Sequence, residues 1–382
     1  MLYALQTLPG LAALTWREVE QKIRPDSDRP APRQIGIRGV PARNDLILLD
    51  HQGSPRPLLA LRTIEDVFVV ATRGFKIAPD DRGLRQIHAA TRNEEAVKPA
   101  LEVWRRLNGG KRNGTFRVVT RMVGKHSFHR RELGRAVADA IRDGWPGRWQ
   151  PIEEEADLEV WATLIEQELI VAIRLSDPSL RLRGKIAHLP ASLRPALAAA
   201  MVMLTYPADD DIFLDPMAGA GTLLLERAAA GPFAMLYGGD ISPAAVTAMQ
   251  ANLRGTRGQI EIRRWNAAKL PLPDESVTKV AVNLPFGTQI GEGEDLDELY
   301  RDVLRQIARV LKPGGRLVTL AADQQLLDRA RAHAAPVLRA TARHRVLVLG
   351  HRATICEHIR VAGAVAPPPP MPPLPAEDDD WE

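Results

Sequence analysis

A single cysteine, Cys356, stands in the whole chain, which excludes an intramolecular disulfide and a cysteine-rich zinc site. A buried small residue is its expected role. The histidines do not cluster: "KHSFHRR" offers His126 and His129 with no carboxylate or thiolate in step, so no metal is expected. Nor is there an apolar run of membrane-spanning length. The best candidate, "ASLRPALAAAMVMLTYP", carries Arg194 and ends at Pro207. The opening "MLYALQTLPGLAALTW" lacks a basic leader and is broken by Pro9 and Gly10, so it does not read as a signal peptide, and a cytoplasmic protein is expected. No repeat of solenoid period is present.

What is present fits a globular chain of two or three domains: 382 residues, 45% hydrophobic and 26% charged. Net charge is only +4, but it is unevenly placed. Residues 101–150 hold 12 Lys/Arg against 4 Asp/Glu, a local excess of +8. Such a field suits a polyanion, or is simply a solvated face.

The first segment, "LYALQTLPGLAALTWREVEQKI", alternates as a strand, turns at Pro9-Gly10, then shows helical spacing in Leu11, Leu14, Val19 and Ile23. Strand-like runs follow at "DLILLD" and "DVFVVAT", which suggests a small α+β domain. A second mixed unit reads as helix "ALEVWRRL", strand "GTFRVVTRMV", helix "RRELGRAVADAIRDGW" and strands "DLEVWATLI" and "LIVAIRLS". Beyond the connection "SDPSLRLRGKIAHLP" the pattern becomes regular. Strands "DIFLD", "MLYGGD", "IEIRRW", "VTKVAVN" and "GRLVTLAA" alternate with helical stretches, as in a doubly wound parallel sheet. The runs "RHRVLVLGH" and "ATICEHIRVAG" then form an edge hairpin. The tail "APPPPMPPLPAEDDDWE" is Pro-rich, then acidic, and reads as disordered.

"DIFLDPMAGAGTLLLERA" is a strand, a Gly-rich turn and a helix start. Gly219 and Gly221 let the backbone pass close to a ligand whose anionic end meets the helix N-terminus. The dinucleotide fingerprint asks for a third glycine where Leu224 stands, so nicotinamide cofactors lose ground and S-adenosylmethionine gains it. Asp240, closing the next strand in "LYGGDIS", sits where an acid accepts from ribose hydroxyls, or it caps the following helix. Asn266 in "RRWNAAKLPLPD" lies where adenine could be read by its side-chain oxygen and the backbone of Ala267, or is a plain turn residue.

The fourth strand of this series ends in "NLPFG", at the edge where ligands of open α/β sheets bind. An exocyclic amine on a base is a poor nucleophile, because its lone pair is delocalised into the ring. It needs acceptors rather than a strong base. Asn283 Oδ1 and the Leu284 carbonyl can each accept one N–H, Pro285 fixes the turn, and Phe286 offers a face for a flipped-out base. No cysteine nucleophile, which ring-carbon methylation would need, is in the segment. N-methylation of a base is therefore favoured, with a strand-ending Asn-x-Pro turn as the structural alternative.

With "DPMAGAGT", "GGDIS" and "NLPFG" in place, the chain resembles Rossmann-fold methyltransferases that act on guanine N2. Within them it resembles the transfer-RNA enzymes that join a ferredoxin-like and a THUMP domain to the catalytic domain. "LYALQTLPGLAAL", "GTFRVVTRMVGKHSFHRRELGRAVADAI" and "LRGKIAHLPASLRPALAAAM" extend the likeness over nearly the whole chain. The resemblance implies an α/β architecture: a ferredoxin-like domain over 1–60, a THUMP domain over 61–176, a linker over 177–195, a catalytic parallel sheet with an antiparallel edge hairpin over 196–365, and a tail over 366–382. It assigns Asp215, Gly219 and Gly221 to the methionine end of S-adenosylmethionine, Asp240 to its ribose and Asn266 to its adenine. Pro216, Thr222, Ile241, Ala267 and Asn283 complete the cofactor site, and Asn283, Leu284, Pro285 and Phe286 hold the guanine.

The family often has Asp where Asn266 stands, and Asn-Pro-Pro-Tyr or Asp-Pro-Pro-Tyr is a commoner corner. The Leu-Pro-Phe-Gly form resembles the subgroup that makes N2-methylguanosine at position 6 of tRNA. THUMP domains with their N-terminal companion hold the CCA end, so the resemblance casts Arg121, Lys125, Arg130, Arg131 and Arg135 as phosphate contacts, with Arg183 and Lys185 (beside Arg181) continuing the track. A monomer acting on tRNA is expected. Guanine N2 in ribosomal RNA and an amine in DNA remain alternative substrates, and a non-catalytic RNA-binding protein with a decayed methyltransferase domain is the alternative of another class.

Overall fold

The computed structural model describes residues 1–25, 30–40, 44–189, 192–287 and 295–362. The acidic tail lies outside these residues, as does the short stretch 288–294 after the Asn283 corner. Two compact units divide the chain: Met1–Gly184 with Arg194–Ala200, and Lys185–Leu193 with Met201–Glu382.

In the first unit the chain runs β1 (Leu2–Thr7), α1 (Ala12–Lys22), β2 (Arg33–Arg38), β3 (Asp45–Asp50), the single turn α2 (Arg56–Leu59), β4 (Asp66–Gly74), α3 (Asp81–Arg92) and α4 (Glu94–Leu107). It continues through β5 (Gly114–Val123), α5 (Arg130–Gly144), β6 (Trp149–Pro151), β7 (Leu158–Ile165) and β8 (Glu168–Arg174). Among the described residues these strands make one sheet in the order β2-β3-β1-β4-β8-β7-β5-β6. The expected boundary near residue 60 is not a break in this sheet, because β4 pairs with both β1 and β8.

The larger apolar core lies along one face of the sheet, from Leu5, Ile47 and Val69 through Leu101 and Trp104 to Phe116, Val137 and Val160, and a smaller one, with Leu48, Phe68, Val70 and Ile170, lies on the other. Each such side chain, fully buried, contributes roughly 1.5–3 kcal/mol against the cost of ordering the chain. The periodicity of α4, β5, α5, β7 and β8 is legible in the sequence. Four elements are not: the single turn α2, the three-residue β6, α3, whose start is fixed by the Asp80 side chain accepting from Arg82 N, and β2, an edge strand. β2 exposes Arg33 and Gln34, shifts register between Gln34 and Gly36, and offers only Ile35 and Ile37 as apolar alternation, too little to read.

After α6 (Pro195–Leu204) the second unit contains β9 (Ile212–Asp215), α7 (Thr222–Ala229), β10 (Met235–Asp240), α8 (Pro243–Leu253), β11 (Ile260–Arg264) and β12 (Val277–Asn283). It closes with α9 (Leu296–Val310), β13 (Leu311–Ala321), α10 (Gln324–Ala334), β14 (Leu338–Val348) and β15 (His351–Arg360). Among the described residues the sheet order is β11-β10-β9-β12-β13-β15-β14. β9 to β13 run parallel, while β15 is antiparallel to β13 and to β14, the edge hairpin that the sequence suggests. Cys356 lies on β15, buried, with its thiol against Gln324 Oε1 at 3.2 Å. No helix among the described residues is long and apolar enough to cross a membrane.

At the amino end of this sheet Arg227 is completely buried. Its guanidinium donates to Asp211 Oδ2 at 3.0 and 3.2 Å and to the carbonyls of Ala208, Gly231 and Pro232. A buried cation is tolerated only when paired and fully hydrogen-bonded, and this one ties the turn before β9 to the turn after α7. Replacing Arg227 by Met should cost about 3–5 kcal/mol, because the buried Asp211 carboxylate would lose its guanidinium and keep only Lys279, 3.9 Å from its other oxygen. Urea denaturation checks this: the midpoint should fall with an unchanged slope, and an unmoved midpoint would contradict the clamp.

Candidate active site

Strand order reverses between β9 and β12: the connection from β9 leads to β10 on one side, the connection from β12 to β13 on the other. A crevice opens at such a point beyond the carboxyl ends. Its floor on the β9 side is the turn 215–222. Gly219 has φ +51° and Gly221 φ +80°, both in the left-handed region that glycine supplies. Around Gly219 nothing lies within 4 Å of where a Cβ would stand, whereas a Cβ at Gly221 would meet Met249 Cγ at 2.8 Å. Gly219 keeps the crevice open; Gly221 lets α8 close on the turn. Leu224, which replaces the third glycine of the dinucleotide pattern, packs where strand residue Gly238 has no side chain, a Cβ there falling 2.3 Å from Leu224 Cδ1.

Asp240 ends β10 and holds this turn in shape. Its Oδ2 accepts from Gly219 N and its Oδ1 from Ser242 N, each at 3.0 Å. Ser242 itself caps α8, so Asp240 is not that helix's cap. Ile241, beside it, is 63% exposed at the crevice edge, an apolar face without a cover. Asp215 is buried with its Oδ1 accepting from Met217 N, and burial, with Asp240 nearby, holds its carboxyl well above the usual range. Trp265 lies on the Gly239 backbone and donates to the Pro216 carbonyl at 2.9 Å, which ties the turn after β9 to the segment after β11 on one side of the crevice. Asn266 is exposed, and its Oδ1 accepts from Ala268 N at 2.9 Å, so its oxygen does the work of a turn residue; Ala267 is buried behind it.

The Asn283 corner leaves β12 directly across the crevice. Leu284 is fully buried and its N–H pairs with the Leu320 carbonyl at 3.0 Å. The buried Tyr300 hydroxyl donates to the Pro285 carbonyl at 2.8 Å, and burial pushes that phenol up, so it stays a donor. The corner is thus anchored on both sides of its proline. Asn283 Oδ1 is buried and accepts no hydrogen bond among the described residues, and Phe286 is half-buried beside it. A buried acceptor without a partner is costly in a folded protein.

Lys185 lies elsewhere than the sequence reading puts it. It is buried, and its ammonium donates to Thr222 Oγ1 at 2.9 Å, at the first residue of α7, rather than facing a nucleic acid. Burial lowers its pKa to about 8. Asn252 on α8 positions this segment: its Oδ1 accepts from Ile186 N and Ala187 N while its Nδ2 donates to the carbonyls of Ala187 and Ala220. That is the full capacity of the amide. The side chain joins the lysine's segment to the cofactor turn.

Among the other expected RNA contacts, Lys125, Arg130, Arg131 and Arg135 are exposed in the first unit. Arg130 and Arg131 open α5, where His129 N donates to Glu132 Oε2 at 2.7 Å. Two cations at a helix N-terminus add to the positive end of its dipole, an arrangement that costs stability and attracts an anion. Arg121 differs. It is only 8% exposed, its guanidinium stacked 4.3 Å from the Trp161 ring, so it is not presented to a phosphate. Arg183 is half-buried and donates to the carbonyls of Leu61 and Ile64, and Arg181 pairs with the buried Asp66. These connector arginines brace the first unit's loops. Trp265, Tyr300 and Asn252 escape the sequence reading; the pair Gly238-Gly239, which makes room for large neighbours, is the available signal for the first.

Residues 183–353 match the family described as RMKL-like methyltransferase domain, and residues 94–174 the THUMP domain. A tRNA (guanine(6)-N2)-methyltransferase from Thermus thermophilus is 32% identical over 230 residues, covering 59% of this chain and 67% of that enzyme. The tRNA (guanine(6)-N(2))-methyltransferase THUMP3 of Mus musculus is 32% identical over 231 residues, 56% of this chain and 45% of that protein. The chain therefore spans about half the length of the mammalian relatives it matches. The crystal structure of TrmN from Thermus thermophilus matches with a TM-score of 0.75 at 25% identity, covering 94% of this chain and 99% of that one. Identity of 32% along two thirds of the Thermus enzyme, with both domains recognised, makes this chain a member of the THUMP-domain guanine-N2 methyltransferase family.

Proposed function

We propose that the protein transfers a methyl group from S-adenosylmethionine to the exocyclic N2 of a guanosine in tRNA, at position 6 of the acceptor stem, with the THUMP region holding the CCA end. The observation that carries the reading is the buried, unpartnered Oδ1 of Asn283 at the crevice. The crevice residues fit the cofactor. The open space at Gly219, the Asp240 carboxylate and the exposed Ile241 offer room, a ribose acceptor and an apolar face for adenine. Lys185 and the N-terminus of α7 converge on Thr222 and would hold the methionine carboxylate. Bound there, S-adenosylmethionine supplies an electrophilic methyl group on a sulfonium centre.

Asn283 Oδ1 and the Leu284 carbonyl would accept the two amine hydrogens and so turn the nitrogen lone pair out of the guanine ring. Phe286 would stack on the flipped base, while Tyr300 and Pro285 keep the corner from yielding. In this reading the protein works in the cytoplasm, and one copy suffices, because the cofactor turn and the corner come from the same chain.

Asn283→Ala should lower turnover on tRNA on the order of 100-fold, the cost of one positioned catalytic hydrogen bond, while calorimetry finds S-adenosylmethionine affinity within a few fold of wild type. Mass spectrometry of tRNA from a deletion strain identifies the base: loss of N2-methylguanosine is expected, and an unchanged tRNA with a mark missing from another nucleic acid would replace the substrate.

Lys185→Met should weaken cofactor binding, and the two proteins should differ in pH dependence. The carboxylate is held by the protonated lysine, so wild-type affinity should drop further than the variant's as pH rises through about 8. Parallel profiles would remove Lys185 from the site.

Replacing Lys125, Arg130 and Arg131 together by Ala should weaken tRNA binding and flatten its salt dependence. Each lost phosphate contact lowers the slope of log K against log salt by about 0.9 for duplex and about 0.7 for single strands. An unchanged slope would return these residues to a solvated face.

A further inference from the structure

The edge hairpin reaches past the rest of the sheet. Asn283 is level with Leu320 of β13, Leu320 with Ile355 of β15 and Ile355 with His344 of β14. From that level the hairpin continues through Arg345, Val346, Leu347 and Val348 before turning at Leu349-Gly350 and returning through His351 and Arg352. Four more residues of strand project about 13 Å beyond the carboxyl edge, and three strand spacings set the tip about 14 Å to the side of β12. An overhanging finger therefore flanks the mouth of the crevice.

Its tip has a composition that folding does not explain. A two-residue turn of this kind needs left-handed backbone at both positions, for which Asn-Gly is the favoured pair. Leu349 adopts φ +51° and Gly350 φ +86°. Among the described residues the other non-glycine positions at positive φ are Lys76, Glu155, Glu166, Arg183, Tyr206 and Glu275, so Leu349 is the one aliphatic among them. It is also 61% exposed. Strain and exposure together on a bulky apolar residue point to a use outside the fold. Around it, Arg345, His351 and Arg352 are exposed at the tip, a cationic and apolar surface that suits an anionic partner with apolar flat faces.

We propose that this finger meets the RNA duplex beside the target nucleotide, Leu349 packing against a base left unstacked when the guanosine is flipped out, and Arg345 and Arg352 lying along the neighbouring phosphates. The assignment rests on the base-methylation reading above. A guanosine within a stem must leave its pair and its stack to reach Asn283, and an apolar side chain that occupies the exposed stacking surface lowers the cost of that step.

Leu349→Asn separates this role from a structural one, because asparagine is better suited to the turn and should keep or raise the melting temperature. Wild-type protein is first shown to methylate the tRNA; failure there would count against the methyltransferase reading, not the finger. On paired tRNA the variant should then lose about 10-fold in kcat/KM, with S-adenosylmethionine affinity unchanged by calorimetry. On a tRNA in which the nucleotide opposite the target is mismatched, so that the guanosine is already unpaired, the loss should shrink to about 2-fold. Undiminished activity on paired tRNA, or an equal loss on both substrates, would overturn the proposal. Leu349→Gly, equally compatible with the turn, should behave as the asparagine variant does.

Discussion

The carboxyl ends of β9 and β12 lie side by side while their connections depart in opposite directions, and the chemistry of the second unit depends on the gap this leaves. Here the turn after β9 and the corner after β12 face one space, one shaped by Gly219 and Gly221, the other by Leu284 and Pro285. The glycine turn supplies room and backbone donors; the proline corner supplies acceptors. A methyl donor and a hydrogen-bonded amine can be brought together only where both kinds of backbone border the same crevice.

Two asparagines of the second unit meet their hydrogen-bonding needs in opposite ways. Asn252 fills all four of its hydrogen bonds within the protein and so fixes the segment 185–187 on the turn at Ala220. Asn283 leaves its oxygen bare. A satisfied amide stabilises one arrangement, whereas an unsatisfied one holds a desolvated acceptor ready at a cost the rest of the fold must offset. The Tyr300 bond to Pro285 and the Trp265 bond to Pro216 are part of that offset, since they keep the backbone on both sides of the crevice from relaxing toward the bare oxygen.

Much of this was legible in the order of residues. Alternating strands and helices from Ile212 onward, the glycines at 219 and 221, the acid closing β10 and the Asn-Leu-Pro-Phe corner each act through short-range geometry, which local sequence carries. The basic residues were harder. Charge is visible in a sequence but its direction is not: Arg121 stacks on Trp161 and Lys185 turns inward to Thr222, while Lys125 and Arg130 do face outward. The helix α3 and the strand β2 leave little trace in the sequence, because one announces itself by a single capping aspartate and the other lies at a polar sheet edge. The Trp265 and Tyr300 contacts span 49 and 15 residues, separations at which no local pattern survives.

The unbroken ladder from β2 to β6 bears on how proteins of this architecture can be recombined. A crossover near residue 60 would part β1 from β4 and leave both with bare strand edges, whereas one after Gly184 severs no strand pairing among the described residues. Modules exchanged by gene fusion survive when the joint falls between sheets rather than within one. Residues 1–184, with the THUMP match at 94–174 inside them, are therefore better exchanged as a single cassette.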